Sequence, residues 1–379
     1  MSLSKTKSNL FFLRAIGKAQ FLLASLVVLF VFLSNWSLLD GAPRNSLSAM
    51  LSGEADRPYV YRQLLPSLVN HVEPSLPEVI SDFLAADVAP LLYRQFTEPL
   101  INRYETIVPN LRDRATQDWS QKPYRIKYVL TVTLMLVSLW ATLNILGLIA
   151  SAVGASKPVR LLGPVVYALL LPLTFLNGGY FYDFTEQFFV SLLLLAALRR
   201  NWLLWFLVAI AGQLNKETML MAPFFLAPII VYNAGLIRAL LLVCATTAIC
   251  FLLYLAVKDH FYLNPGVVMQ YNLADNLAFW LTPANYAQFT DMYTIGFPLP
   301  RITFCLVIIG VMVYSVHAPL PALLSSSIAL AVLVPLFIVL GSRDEFRALG
   351  QAFPLFYLVA VSPRELRKKA SSNVVVGDL

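Results

Sequence analysis

Charge is what this sequence lacks. Asp, Glu, Lys and Arg make up 13% of its 379 residues, against about 25% in a soluble globular domain. With 58% hydrophobic residues and a mean hydropathy of +0.69, that shortage excludes an ordinary soluble domain. Cysteine is nearly absent: Cys244, Cys250 and Cys305 all fall inside apolar runs, so there is no disulfide framework and no metal-ligand spacing. His71, His260 and His317 are scattered and make no zinc motif. No Gly/Ser linker marks a boundary, so residues 1–379 read as a single integral-membrane domain. The net charge of +7 sits mostly at the ends of apolar runs, which points to topology rather than nucleic-acid binding. Those runs are continuous, not alternating, which argues against an outer-membrane barrel. The expected class is all-α: a polytopic helical membrane protein.

About ten transmembrane helices are expected. The first runs from about Phe21 to Leu39, behind Lys5, Lys7, Arg14 and Lys18. No small-residue cleavage site follows cleanly, so it reads as an uncleaved span. The positive-inside rule then puts the N-terminus in the cytoplasm and Asp40 on the outer side. Residues 40–125 form a long outer excursion. Within it, apolar residues recur at helical spacing from Glu78 to Leu111, and Pro90, Pro99 and Pro109 are expected to break the run into short helices lying on the membrane surface. Further spans are expected near 128–153, 161–176, 187–198, 202–214, 219–232 and 237–257. A second outer excursion at 258–300, rich in aromatics and amides, suits an interfacial lid. Spans near 302–316 and 320–340 follow, and a tenth ends at Pro363 before the basic cluster Arg364, Arg367, Lys368 and Lys369. An even number of spans leaves both basic termini in the cytoplasm, as expected of a bacterial inner-membrane protein.

The most informative stretch is Asn215-Lys216-Glu217-Thr218, a polar tetrad between two apolar arms. Each arm has about 13 residues, roughly 20 Å of helix, against a hydrocarbon core about 30 Å thick. Reading residues 202–232 as one span would put the C-terminal cluster outside, so a tight helical hairpin fits better. A Lys beside a Glu near membrane depth is costly, which marks it as a candidate site. The same pair also reads as a simple hairpin closure.

Of the 21 acidic residues, only Glu365 and Asp378 fall on the expected cytoplasmic side. The compact polar clusters all fall on the other side. Asp56, six residues before Arg62 and among Tyr59 and Tyr61, can serve as a general base toward a hydroxyl. It reads equally as a capping or salt-bridging residue. Asp40 is the rival base. Asp183 and Glu186, three apart, share a face if a helix begins there. Such a pair can bind a divalent cation, orient sugar hydroxyls, or simply favour the helix dipole. Lys216, Arg343 and Arg347 are cations suited to a phosphate or pyrophosphate. Arg343 and Arg347 would share a helical face, with Asp344 and Glu345 turned elsewhere. Snorkelling toward phospholipid is the plainer account of each Arg.

The stretches Asp56-Arg57-Pro58-Tyr59-Val60-Tyr61-Arg62-Gln63-Leu64-Leu65-Pro66, Tyr180-Phe181-Tyr182-Asp183-Phe184-Thr185-Glu186, Leu214-Asn215-Lys216-Glu217-Thr218 and Glu345-Phe346-Arg347, together with the layout over about residues 15–360, resemble the GT-C superfamily of integral-membrane glycosyltransferases. The resemblance implies a polyprenyl-phosphate or polyprenyl-diphosphate sugar donor used at the outer, periplasmic face. It gives the first-loop acid position to Asp56 or Asp40, and the donor phosphate to Lys216, Arg343 and Arg347. Asp183 and Glu186 would help position the sugar or a metal. Arg57, Tyr61, Arg62, Tyr182, Asn215, Glu217 and Glu345 are the further substrate-binding candidates of the same stretches. The larger oligosaccharyltransferases carry a C-terminal soluble domain that is missing here, so a lipid or glycan acceptor is expected rather than a peptide. Rival expectations are a flippase or transporter of lipid-linked sugars, a glycan polymerase, and a non-catalytic membrane scaffold.

Overall fold

The computed structural model describes residues 2–42, 44–175, 178–267, 270–287, 289–294, 297–300, 302–315, 318–343 and 345–362. Asp344 and the expected C-terminal cluster from Arg364 to Lys369 lie outside them. The principal helices are α1 (Ser2–Trp36), α2 (Lys122–Ala152), α3 (Lys157–Leu170), α4 (Phe181–Leu198), α5 (Trp202–Asn215), α6 (Ala222–Ala234), α7 (Leu236–His260), α8 (Ile302–Ser315), α9 (Leu320–Leu340) and α10 (Phe353–Val361). Among the described residues, seven stretches are long and apolar enough to cross a membrane: 17–36, 122–152, 157–174, 181–198, 217–234, 236–260 and 320–340. The helices at the other three expected spans are shorter. α5 and α8 have 14 residues each, about 21 Å of rise, and α10 continues a 3₁₀ stretch, Phe346–Ala352.

α4 is the central helix. Over its span 83% of residues are buried, because it packs on α2, α5, α6 and α10. Its sequence is apolar on all sides past Gln187, as a helix surrounded by helices requires. α7 is more apolar still but only 17% buried, with Leu241, Leu252 and Ile237 pointing outward. Gly212 lets α5 cross α4 closely: a Cβ there would meet Met219 Cε at 2.7 Å and Phe189 Cβ at 3.4 Å. The arms α5 and α6 start and finish at the same end of the bundle. Asn201 N donates to Ala196 O at 2.9 Å, and Asn233 Nδ2 donates to Ala197 O at 3.1 Å. Residues 215–218 lie at the turn between the arms.

The first excursion departs from expectation at two prolines. Residues 78–104 run on as helix through Pro90 and Pro99. A π-helical turn, Leu84–Val88, precedes the segment with Pro90 at its start, and another, Tyr93–Thr97, precedes the segment with Pro99. A proline removes one N–H and crowds the carbonyl four residues back; a wider turn upstream absorbs both defects without ending the helix. Only Pro109 stands at a break, before Asn110 with φ +58°. The second excursion holds a helix at Leu273–Trp280 and an antiparallel pair, β1 (Phe289–Thr294) and β2 (Phe297–Pro300). Apart from an isolated bridge between Arg57 and Gly266, that hairpin is the only strand pairing among the described residues.

Candidate functional site

Four chain segments meet at the tetrad end of the bundle. The first is the start of α4. Tyr180 is extended and its N–H donates to Asp183 Oδ2 at 2.9 Å, so Asp183 caps the helix it begins. The second is the tetrad. Asn215 ends α5 because its side chain is captured by α4: it accepts from Thr185 Oγ1, and its Nδ2 donates to Tyr182 O at 3.1 Å. Lys216 is then extended, with φ −158° and ψ 132°. Its Nζ lies 2.7 Å from Glu186 Oε2 and 3.2 Å from Asp183 Oδ1. The two acids do share a face, and an ammonium sits between them.

The third segment is the 3₁₀ stretch at 346–352. Arg347 donates to Asp183 at 3.4 Å and also to Glu345. Gln351 Nε2 reaches Glu186 Oε1 at 3.2 Å and Thr218 Oγ1 at 2.8 Å. The fourth is the first loop. Arg62 grips Glu217 with both arms of its fork, at 2.8 and 3.2 Å, and donates to Tyr182 OH. Aromatic rings join the two arginines. Arg62 lies 4.4 Å from the Tyr182 centroid and Arg347 4.4 Å from that of Tyr180, and the two rings stack at 5.0 Å. Such contacts suit guanidinium groups better than ammonium.

Burial is nearly complete. Arg62, Lys216 and Arg347 are 6–8% exposed, and Asp183 and Glu186 2–3%. Isolated charges there would cost several kcal/mol each, so every one is paired. Three cations face four carboxylates, and the two outermost, Glu217 and Glu345, keep 23% of their side chains accessible. An anion entering this site therefore has to take the place of Glu217 or Glu345. One donor is left over: Arg347 Nε is buried and has no hydrogen-bond partner among the described residues.

Several expected site residues stand elsewhere. Arg343 is exposed, 5.7 Å from the Phe279 ring. It does not share a helical face with Arg347, because helix begins only at Phe346, in 3₁₀ form. Glu345, expected to turn away, instead pairs with Arg347. Asp56 pairs with Arg44 at 3.6 Å, and Arg57 is pinned by the second excursion, its N–H on Pro265 O and its guanidinium on Gly266 O, both at 2.8 Å. Tyr61 is buried in the core beneath that turn. Glu54, two residues before Asp56 and exposed, makes Glu54-Ala55-Asp56 a Glu-x-Asp pair that stands in the sequence itself. Asp40 lies apart, buried under Ser37, Thr97 and Tyr124, all three of which donate to it. Burial pushes its carboxyl above the usual range, and the hydroxyl bonds pull the other way. No incoming hydroxyl reaches it there. For metals, no group of three or more suitable ligands occurs among the described residues, and Lys216 already occupies the space between Asp183 and Glu186.

Tyr180, Gln351 and Thr218 were not among the expected site residues. Tyr180 had a visible signal, an aromatic two residues before Tyr182 at a helix start. Thr218 had one too, as the last residue of the polar tetrad, and Gln351 had none. Comparison with known families, curated proteins and solved structures finds no match for this chain.

Proposed function

We propose that this protein is a glycosyltransferase that takes a sugar from a polyprenyl-phosphate or polyprenyl-diphosphate donor at the tetrad end of the bundle. In this reading the chain makes ten spans in a bacterial inner membrane, with both termini cytoplasmic and the site on the outer face, in the GT-C manner. The observation that carries it is the convergence of Arg62, Lys216 and Arg347, from three distant segments, at the end of the bundle where the Asp56 loop also lies. Arg62 and Arg347 exchange Glu217 and Glu345 for phosphate oxygens, and Lys216 holds Asp183 and Glu186 in place. The acceptor hydroxyl oxygen bonds to the anomeric carbon. The bond from that carbon to the phosphate oxygen breaks, its electron pair leaves on the phosphate, and the hydroxyl proton passes to Asp56. The acceptor is a lipid or a glycan.

The pairing of all three cations supports a second reading, a non-catalytic scaffold whose cluster is a clasp. One assay separates them. Full-length protein in vesicles is incubated with radiolabelled polyprenyl-phosphate sugars and an envelope lipid extract. Label is expected in a new product with wild type and not with Asp56→Asn, whose unfolding midpoint stays unchanged. Full recovery of every donor leaves the scaffold standing. Label that crosses the bilayer chemically intact identifies a flippase, and a ladder of products identifies a polymerase.

A further inference from the structure

The turn that carries Arg347 is held from outside, by the second excursion. α9 does not close its own end. Gly341 follows it in an extended conformation, φ −73° and ψ 162°, so the left-handed cap that ends many helices is missing. The last carbonyls of α9 therefore need donors from elsewhere. Two asparagines of the excursion supply them. The Asn272 N–H donates to Val339 O at 2.8 Å, and its Nδ2 lies 3.2 Å from Leu340 O and 3.1 Å from Gly341 O. Asn276 Nδ2 lies 2.7 Å from Gly341 O, 2.9 Å from Ile338 O and 3.4 Å from Phe337 O. The two asparagines stand four apart, so one face of the Leu273–Trp280 helix meets the whole end of α9.

Asn276 is also the only buried residue of that helix, whereas Leu277 beside it is 43% exposed. A helix seated through an amide rather than through apolar side chains is placed by hydrogen-bond direction. Rings complete the contact. The Trp280 ring lies 6.2 Å from that of Phe337, on the last turn of α9, and 5.6 Å from that of Phe346. Phe346 is the residue before Arg347. Only Gly341 to Glu345 separate α9 from Phe346, and within that turn Ser342 N donates to Glu345 Oε2 at 2.9 Å. Any shift of the end of α9 or of Phe346 is therefore passed on to Arg347 and to its outer partner Glu345.

We propose that Asn272 and Asn276 are positioning residues for Arg347: the second excursion caps α9 and thereby fixes the turn that delivers the guanidinium to Asp183. Both act through α9 and Phe346. For sugar transfer this rests on the donor reading above, which assigns Arg347 its anion; the placement of Arg347 itself needs no ligand, so either can fail alone. Asn233, which donates to Ala197 O at the other end of the bundle, is the comparison, a cap far from the cluster.

The test is modification of the full-length protein in detergent by phenylglyoxal, an arginine reagent, with the rate at each arginine read by mass spectrometry of its peptides. In wild type Arg62 and Arg347, each 8% exposed, should react slowly, and Arg44, 77% exposed, fast. Asn276→Ala should speed Arg347 at least about tenfold, as loss of capping hydrogen bonds raises local opening, and leave Arg62 and Arg44 unchanged. Asn272→Ala is milder, because its backbone N–H on Val339 O remains, and it stands in where Asn276→Ala does not fold. It should speed Arg347 by less, again without Arg62. Asn233→Ala should change neither. Caps that merely stabilise the bundle predict that Arg62 and Arg347 speed up together, and that result would overturn the proposal. So would an Arg347 rate that stays at the wild-type value in both excursion variants.

Discussion

Two buried aspartates in this protein are neutralised in opposite ways. Asp183 is met by charge, with Lys216 and Arg347 on its two oxygens. Asp40 is met by hydroxyl groups alone, from Ser37, Thr97 and Tyr124, with Tyr128 behind Ser37 at 2.7 Å. The hydroxyl cage binds a loop to its neighbours and leaves no charge for a ligand to trade. The ion cluster includes cations whose outer partners, Glu217 and Glu345, reach solvent. An acid serves as structure where its partners are neutral and committed; a site needs partners that can be exchanged.

That contrast can be broken by substitution. Lys216→Met leaves Asp183 and Glu186 facing each other without a cation and should cost about 3–5 kcal/mol, read as the loss of unfolding midpoint in detergent. A shift near zero would mean that the ion pairs do not form. Asp40→Asn keeps the size and one acceptor but places an NH₂ against hydroxyl donors, and should cost about 1–3 kcal/mol. The same variant isolates a pH effect. The folded-state pKa of Asp40 is raised above the ordinary 3.8 because burial outweighs the hydroxyl bonds. The folded state thus holds the proton more tightly than the unfolded state. That contribution is complete below about pH 3.8 and is lost as pH rises through the folded-state value. The stability difference between wild type and Asp40→Asn should shift in favour of the variant over that rise; a constant difference would show that burial does not perturb this acid. The smallest effect belongs to Arg44→Ala. Arg44 is 77% exposed, so its pair with Asp56 is worth at most about 0.5 kcal/mol. A larger loss would mean that Arg44 organises the Asp56 turn.

Much of the bundle was legible because long apolar runs need no tertiary information. The hairpin was legible too, from two apolar arms of about 13 residues read in the sequence and a polar tetrad between them. Asp183, Glu186 and Lys216 stood out as charges where charge is costly. Arg62 could be singled out but not paired, since its partner Glu217 lies 155 residues away. Arg343 was misplaced because the four-residue rule holds only in an α-helix, and the chain there is a turn followed by 3₁₀ helix. Pro90 and Pro99 misled for a related reason: the local rule that proline ends a helix takes no account of a wider turn upstream.

The tetrad also sets an order of events during synthesis. α4 leaves the ribosome before α5, so Asp183 and Glu186 enter the apolar layer ahead of the ammonium that neutralises them. A nascent chain that stops short of residue 216 carries two carboxylates at that level with no counter-charge. The 14-residue α5 is shorter than a span, whereas residues 217–234 after it are long and apolar enough to cross, so α5 goes in with the arm that follows it, and their arrival both completes the hairpin and discharges α4. Insertion of this part of the chain is therefore one cooperative step that couples translation to the closing of the ion cluster.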